Sequence, residues 1–112
     1  MFVEIRTRKL VVVPETEAEL QDHVSLALVR FAPAIERVVV RIDDVNGPRG
    51  GIDKVCRTTV ILRGGGVVVA EGRSDVVRKA LAVSVVRARA QIRSRAQRAR
   101  VTRRDATLKV AS

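Results

Sequence analysis

The sequence contains no tryptophan and no tyrosine, and its only aromatics are Phe2 and Phe31. That excludes the stacking platforms with which sheet-type readers hold unpaired RNA bases. A single cysteine, Cys56, and a single histidine, His23, leave no intrachain disulfide framework and no Cys/His zinc site. No apolar run approaches the roughly 20 residues of a transmembrane helix. No run of seven or more apolar residues follows basic ones at the start of the chain, so no secretory signal is expected. Asp43 and Asp44 are adjacent and leave a strand on opposite faces, so they do not form a facing acid/base pair. No nucleophile and base can be assembled. The expectation is a cytoplasmic, non-enzymatic protein with no metal, no cofactor and no small-molecule substrate.

What is present in excess is positive charge. The formal net charge is +10, with 22 Lys/Arg against 12 Asp/Glu in 112 residues. Residues 1–75 carry eleven bases and eleven acids and sum to zero; residues 76–112 carry eleven bases and only Asp105. The stretch Val86 to Arg104, VRARAQIRSRAQRARVTRR, holds eight arginines and no acid. Charge needed only for solubility has no reason to segregate in this way; a polyanionic partner gives it one.

The hydrophobic fraction, 46%, is that of a folded protein, and the length suits one domain. Phe2–Thr7 reads as a first strand. TEAE at Thr16–Glu19 has the form of a capping box. Leu20, Val24, Ala27, Leu28 and Phe31 follow it at helical spacing until Pro33. RVVVRIDDV (Arg37–Val45) alternates as a strand. NGPRGG (Asn46–Gly51) is a turn, and KVCRTTVILR (Lys54–Arg63) is a third strand with Cys56 on its apolar side. GGG (Gly64–Gly66) reverses the chain into a short fourth strand, Val67–Glu71, which Gly72 should end.

Ser74 or Asp75 can cap a second helix. Its core stripe is Val77, Ala80, Leu81, Ser84, Val85, Ala88 and Ile92. Arg95 falls on that same stripe, so the helix should have left the body by then. The expected fold is α+β, a single domain in the order β-α-β-β-β-α. Residues 1–100 would form the domain and 101–112 a basic, flexible tail.

Arg78, Arg89 and Arg100 lie eleven residues apart, close to three helical turns. Lys79 and Arg93 sit beside that line, while Arg87 and Arg98 form a smaller row on the other flank of the apolar stripe. Rigid basic rows track a phosphate backbone, and counterion release supplies much of the affinity. Arginine adds bidentate phosphate contacts. Without aromatics, backbone and shape recognition of folded RNA fits better than base-by-base reading. No helix-turn-helix or zinc finger points to a DNA groove.

Gly47-Pro48-Arg49-Gly50 matches a GxxG loop but lies between strands, so it reads as a hairpin turn whose tip, Arg49, can touch RNA. Gly64–Gly66 lacks the Lys-Ser/Thr of a phosphate-binding loop. Cys56 reads as packing and His23 as solvated. Val39, Val76, Val83 and Val86 fall off the core faces. A monomer is expected, with these valines leaving a dimer contact open. An anionic membrane surface is disfavoured as the partner by the missing aromatics and by arginines on several sides of the helix after Ile92.

The element order, the length and the basic second helix resemble the ribosome hibernation-promoting factor / ribosome-associated inhibitor A family in its short form. RIDDVNGPRGGIDKVCRTTVILRGGG (Arg41–Gly66) is similar to a strand, hairpin and strand of one branch of it, and SDVVRKAL (Ser74–Leu81) resembles the start of its second helix. The resemblance implies a four-stranded sheet with both helices on one face. It also implies a protein that docks on 16S rRNA of the 30S subunit, alone or in the 70S ribosome, and sterically blocks the mRNA and tRNA sites. The family's RNA contacts carry over onto Arg78, Lys79, Arg87, Arg89 and Arg93. Arg30 and Arg37 are the only bases near the first helix, whose start is acidic where family members often carry bases. Val76 or Val77 replaces an aromatic often found at the start of the second helix. The alternative is a general, non-sequence-specific RNA- or DNA-binding module unrelated to ribosomes.

Overall fold

β-Branched runs and two amphipathic stretches resolve into the expected order. A computed structural model describes residues 1–10, 12–45 and 54–111, with side chains as far as Arg98. Strand β1 spans Phe2–Arg8, helix α1 Pro14–Leu28, a 3₁₀ turn Val29–Ala34, β2 Ile35–Asp44, β3 Lys54–Leu62, β4 Val67–Ser74 and helix α2 Val77–Ala111. The sheet order is β1-β2-β3-β4. β1 runs parallel to β2, joined through α1, while β2, β3 and β4 form an antiparallel meander. The turn at Gly64–Gly66 uses φ of 79°, 102° and 100°, a region glycine enters without a Cβ clash.

Alternation along the strands fixes which side is covered. Val38, Val40 and Ile42 of β2, Cys56, Thr58 and Val60 of β3, and Val68 and Ala70 of β4 are buried. They meet Leu20, Val24 and Leu28 of α1 and Ala80, Leu81, Val85, Ala88 and Ile92 of α2. Both helices therefore lie on one face. Burying each Val or Leu side chain is worth roughly 1.5–3 kcal/mol, so this layer is the main source of stability. The one polar inclusion is satisfied internally: Ser84 donates to the Leu81 carbonyl at 2.8 Å and shares a 2.8 Å hydrogen bond with Thr58. Cys56 Sγ lies 3.3 Å from the same hydroxyl, and burial pushes the thiol's pKa up.

Three expectations are corrected. The capping box at Thr16 does not form: α1 starts two residues earlier at Pro14, with no side-chain cap. Proline's fixed φ is already helical, and the N–H it lacks is one the first turn leaves unbonded anyway. Gly72 does not end β4, which runs on to Ser74. A Cβ at Gly72 would stand 2.3 Å from the Ala80 carbonyl oxygen and 2.7 Å from Ser84 N, so the glycine is where α2 crosses the strand. The third concerns Arg95 and is described below.

α2 is the long element. Its 35 residues span about 52 Å, against a longest molecular extent of 64 Å. Its backbone stays helical to Ala111, through the segment expected as a tail. Among the described residues no helix is long and apolar enough to cross a membrane.

Candidate nucleic-acid interface

The buried stripe of α2 orients every cation on it. With Ala80, Leu81, Ser84, Val85, Ala88 and Ile92 turned to the sheet, the basic residues fall into a flank facing α1, an outer side facing solvent, and a flank facing the β4 edge.

On the α1 flank, Arg78 pairs with Glu19 of α1. The acidic start of one helix thus meets the basic start of the other. Both side chains are more than half exposed, at 63% and 57%, so the pair is worth about 0–1 kcal/mol. Its consequence is electrostatic: Arg78 is already partly neutralised. Arg89, three turns on, is half-buried. On the outer side Lys79 and Arg93 are exposed, and neither meets a carboxylate among the described residues.

The third flank does something the sequence reading missed. Arg87 donates to the Glu71 carbonyl at 2.8 Å, Gln91 to Val69 at 3.0 Å and Arg95 to Val67 at 3.0 Å. Four helical residues advance about 6 Å and two strand residues about 6.6 Å. Donors at i, i+4 and i+8 therefore keep step with alternate carbonyls for three rungs. Among the described residues β4 has only β3 beside it in the sheet, so these carbonyls belong to an edge that would otherwise invite another strand. The expectation that the helix has left the body by Arg95 is corrected: its side chain is long enough to leave the apolar stripe and cap the end of β4. The spacing of residues 87, 91 and 95 was the available signal, but it acquires meaning only with β4 alongside.

The nine basic residues named from the sequence do not form one surface. Arg78, Lys79, Arg87, Arg89 and Arg93 share α2, and Arg100 lies on its backbone further along. Arg30 is exposed in the 3₁₀ turn after α1. Arg37 is exposed on β2 with Phe2 and Ile61 as register neighbours, on the sheet face away from the helices. Arg49 lies outside the described residues.

That open sheet face carries a second, mixed cluster. Arg8, Arg41, Asp43, Val55, Arg57 and Glu71 line a shallow cleft of about 210 Å³. Arg57 is held there by Glu71 through two hydrogen bonds of 3.1 and 2.8 Å. Asp43 Oδ1 is buried without a hydrogen-bond donor. With both signs interleaved, this cleft has no continuous positive row to follow a phosphate chain. Among the described residues no group of three or more His, Cys, Asp or Glu stands together to hold a metal.

No protein-family model matches the chain, and no curated protein sequence matches it either. Solved structures do. A ribosomal subunit interface protein from Coxiella burnetii aligns with a TM-score of 0.67 at 16% identity, over 87% of this chain and 99% of its own. The N-terminal domain of Protein Y from Thermus thermophilus aligns at 0.61 and 19% identity, over 82% and 96%. The chain shares their fold, and the resemblance read from its residues holds at that level.

Proposed function

We propose that this chain is a ribosome-associated, non-catalytic cytoplasmic protein that docks on 16S rRNA of the small subunit and silences it by occupying the space of mRNA and tRNA. The observation that carries the reading is the segregation of charge: the whole +10 lies in residues 76–112, most of which form the one long helix of a fold shared with a ribosomal subunit interface protein. The helix supplies a rigid row whose outer cations, Lys79 and Arg93, meet no acid among the described residues. Phosphates satisfy them, and released counterions drive binding. No reaction is required of the protein; inhibition is steric. A monomer suffices for this role.

Co-sedimentation with 70S ribosomes and 30S subunits over a salt series, with free rRNA and duplex DNA as competitors, tests the reading. Saturable binding near one protein per 30S subunit that resists both competitors supports it. Binding that follows total polyanion and falls away equally with salt supports the rival, a general RNA- or DNA-binding module. The rival draws on the missing aromatics, which leave the helix little with which to read bases.

A further inference from the structure

The outer side of α2 is not simply basic. Between Lys79 and Arg93 it presents Val83, Val86 and Ala90, all exposed, with Ala82 at the border. Val86 is 53% exposed and Val83 38%. Ala82, Val83, Val86 and the stem of Arg87 line a shallow depression of about 270 Å³. The two cations are fourteen residues apart, or about 21 Å along the helix axis. The result is an apolar saddle of small side chains with one cation at each end, and the core does not use it.

The chemistry of the saddle selects among occupants. A protein partner normally needs a large anchor, Trp, Tyr or Arg, seated in a pocket; the saddle offers only valine and alanine methyls. A second copy laid antiparallel brings Lys79 against the partner copy's Arg93, and a parallel one brings like against like, so self-association is repulsive. Unpaired bases need a stacking surface, and none is present. The minor groove of B-form DNA, about 6 Å wide, is narrower than a helix of about 10–12 Å. The minor groove of A-form RNA is wide and shallow and displays 2′-hydroxyls and base edges between its phosphate rims. Small side chains permit close approach of the helix to that shallow floor, and terminal cations reach the rims.

Resting on the RNA-binding reading above, we propose that the outer side of α2, from Lys79 to Arg93, seats across the minor groove of an A-form RNA duplex. The ligand class is thus double-stranded RNA recognised by shape, with the apolar saddle providing the discrimination and the charges most of the affinity.

The test uses the full chain and three probes: a mixed-sequence RNA duplex of about 20 base pairs, the DNA duplex of the same sequence, and one RNA strand alone. The wild type should prefer the RNA duplex about tenfold over both others at fixed salt. The uncharged double variant Val83→Gln/Val86→Gln, at two exposed positions, should lose that preference while binding the other probes as before. Circular dichroism melting confirms that the variant is folded. Equal affinity for all three probes, an unchanged preference in the variant, or a shift from dimer to monomer on substitution overturns the inference. If ribosome co-sedimentation persists in any of those cases, the broader reading stands and only the groove is wrong. Loss of ribosome binding by the wild type itself would overturn both.

Discussion

Arginine does different work on the two sides of α2. Toward β4, Arg87 and Arg95, with Gln91 between them, each give one donor to a main-chain carbonyl. Toward solvent, Lys79 and Arg93 leave their donors free among the described residues. The residue types are nearly the same; the neighbours differ. An edge strand with unbonded carbonyls converts a cation into structure, whereas open solvent leaves it available for a phosphate. Counting charge on a helix therefore overstates its binding surface unless the adjacent elements are known. The +10 of this chain includes cations already committed to the fold.

The most drastic way to break the comparison is to lift the helix from the sheet. Gly72→Ala places a methyl 2.3 Å from the Ala80 carbonyl oxygen, and backbone cannot yield as a side chain tip can. A loss of about 3 kcal/mol is expected, measured by denaturant unfolding. Both flanks should fail together.

The β4 flank alone is removed by Arg87→Met/Gln91→Met/Arg95→Met, which keeps the aliphatic bulk. Each lost hydrogen bond is worth about 0.5–1.5 kcal/mol. The more diagnostic effect is an exposed edge: the variant should self-associate in light scattering, with faster hydrogen exchange confined to β4. A variant that stays monomeric and exchanges like the wild type would mean that the ladder protects nothing.

Smaller still is Arg78→Gln. It breaks an exposed pair worth at most about 1 kcal/mol. It also frees Glu19, so melting should hardly change and ribosome affinity should fall less than for Arg93→Gln. The smallest effect belongs to the buried thiol. Burial raises the pKa of Cys56 above its ordinary 9.0, so the folded state holds this proton more tightly than the unfolded chain. The contribution is complete below pH 9 and is lost as pH rises through the higher folded value. Cys56→Ala should lower the urea midpoint by a constant amount below pH 9, through the cavity it leaves in the core, and the gap to the wild type should narrow in that alkaline window, where only the wild type loses stability.

Much of this was legible in the sequence because it depends on periodicity. The strands of β2 and β3, the core stripe of α2 and the segregation of charge are local patterns, and they stand as read. Most of the misreadings share a cause, dependence on a residue distant in the chain; the start of α1 is the local exception. Glu19 lies 59 residues from Arg78, and no spacing rule pairs them. Gly72 looked like a strand terminator because only the passing helix explains its missing side chain. Arg95 looked misplaced on the apolar stripe because β4 carbonyls are invisible to a helical wheel. Pro14 outweighed Thr16 as a helix start because a fixed φ needs no partner. The functional side carries the same lesson: Val83 and Val86 read as lying off the core faces, open to a dimer contact, and only the fold shows them exposed on the outer side of α2 between Lys79 and Arg93.

The most direct test of the central claim is the salt dependence of 30S binding for three proteins: the wild type, Lys79→Gln/Arg93→Gln, and the Arg87/Gln91/Arg95 methionine variant. If the outer cations grip the RNA, the glutamine double variant should lose about a hundredfold in affinity. Its log–log salt slope should fall by about two, with its melting unchanged. The methionine variant, measured as monomer, should keep most of the wild-type slope. The reverse result, with the slope lost on the β4 flank and kept on the outer side, would contradict the account.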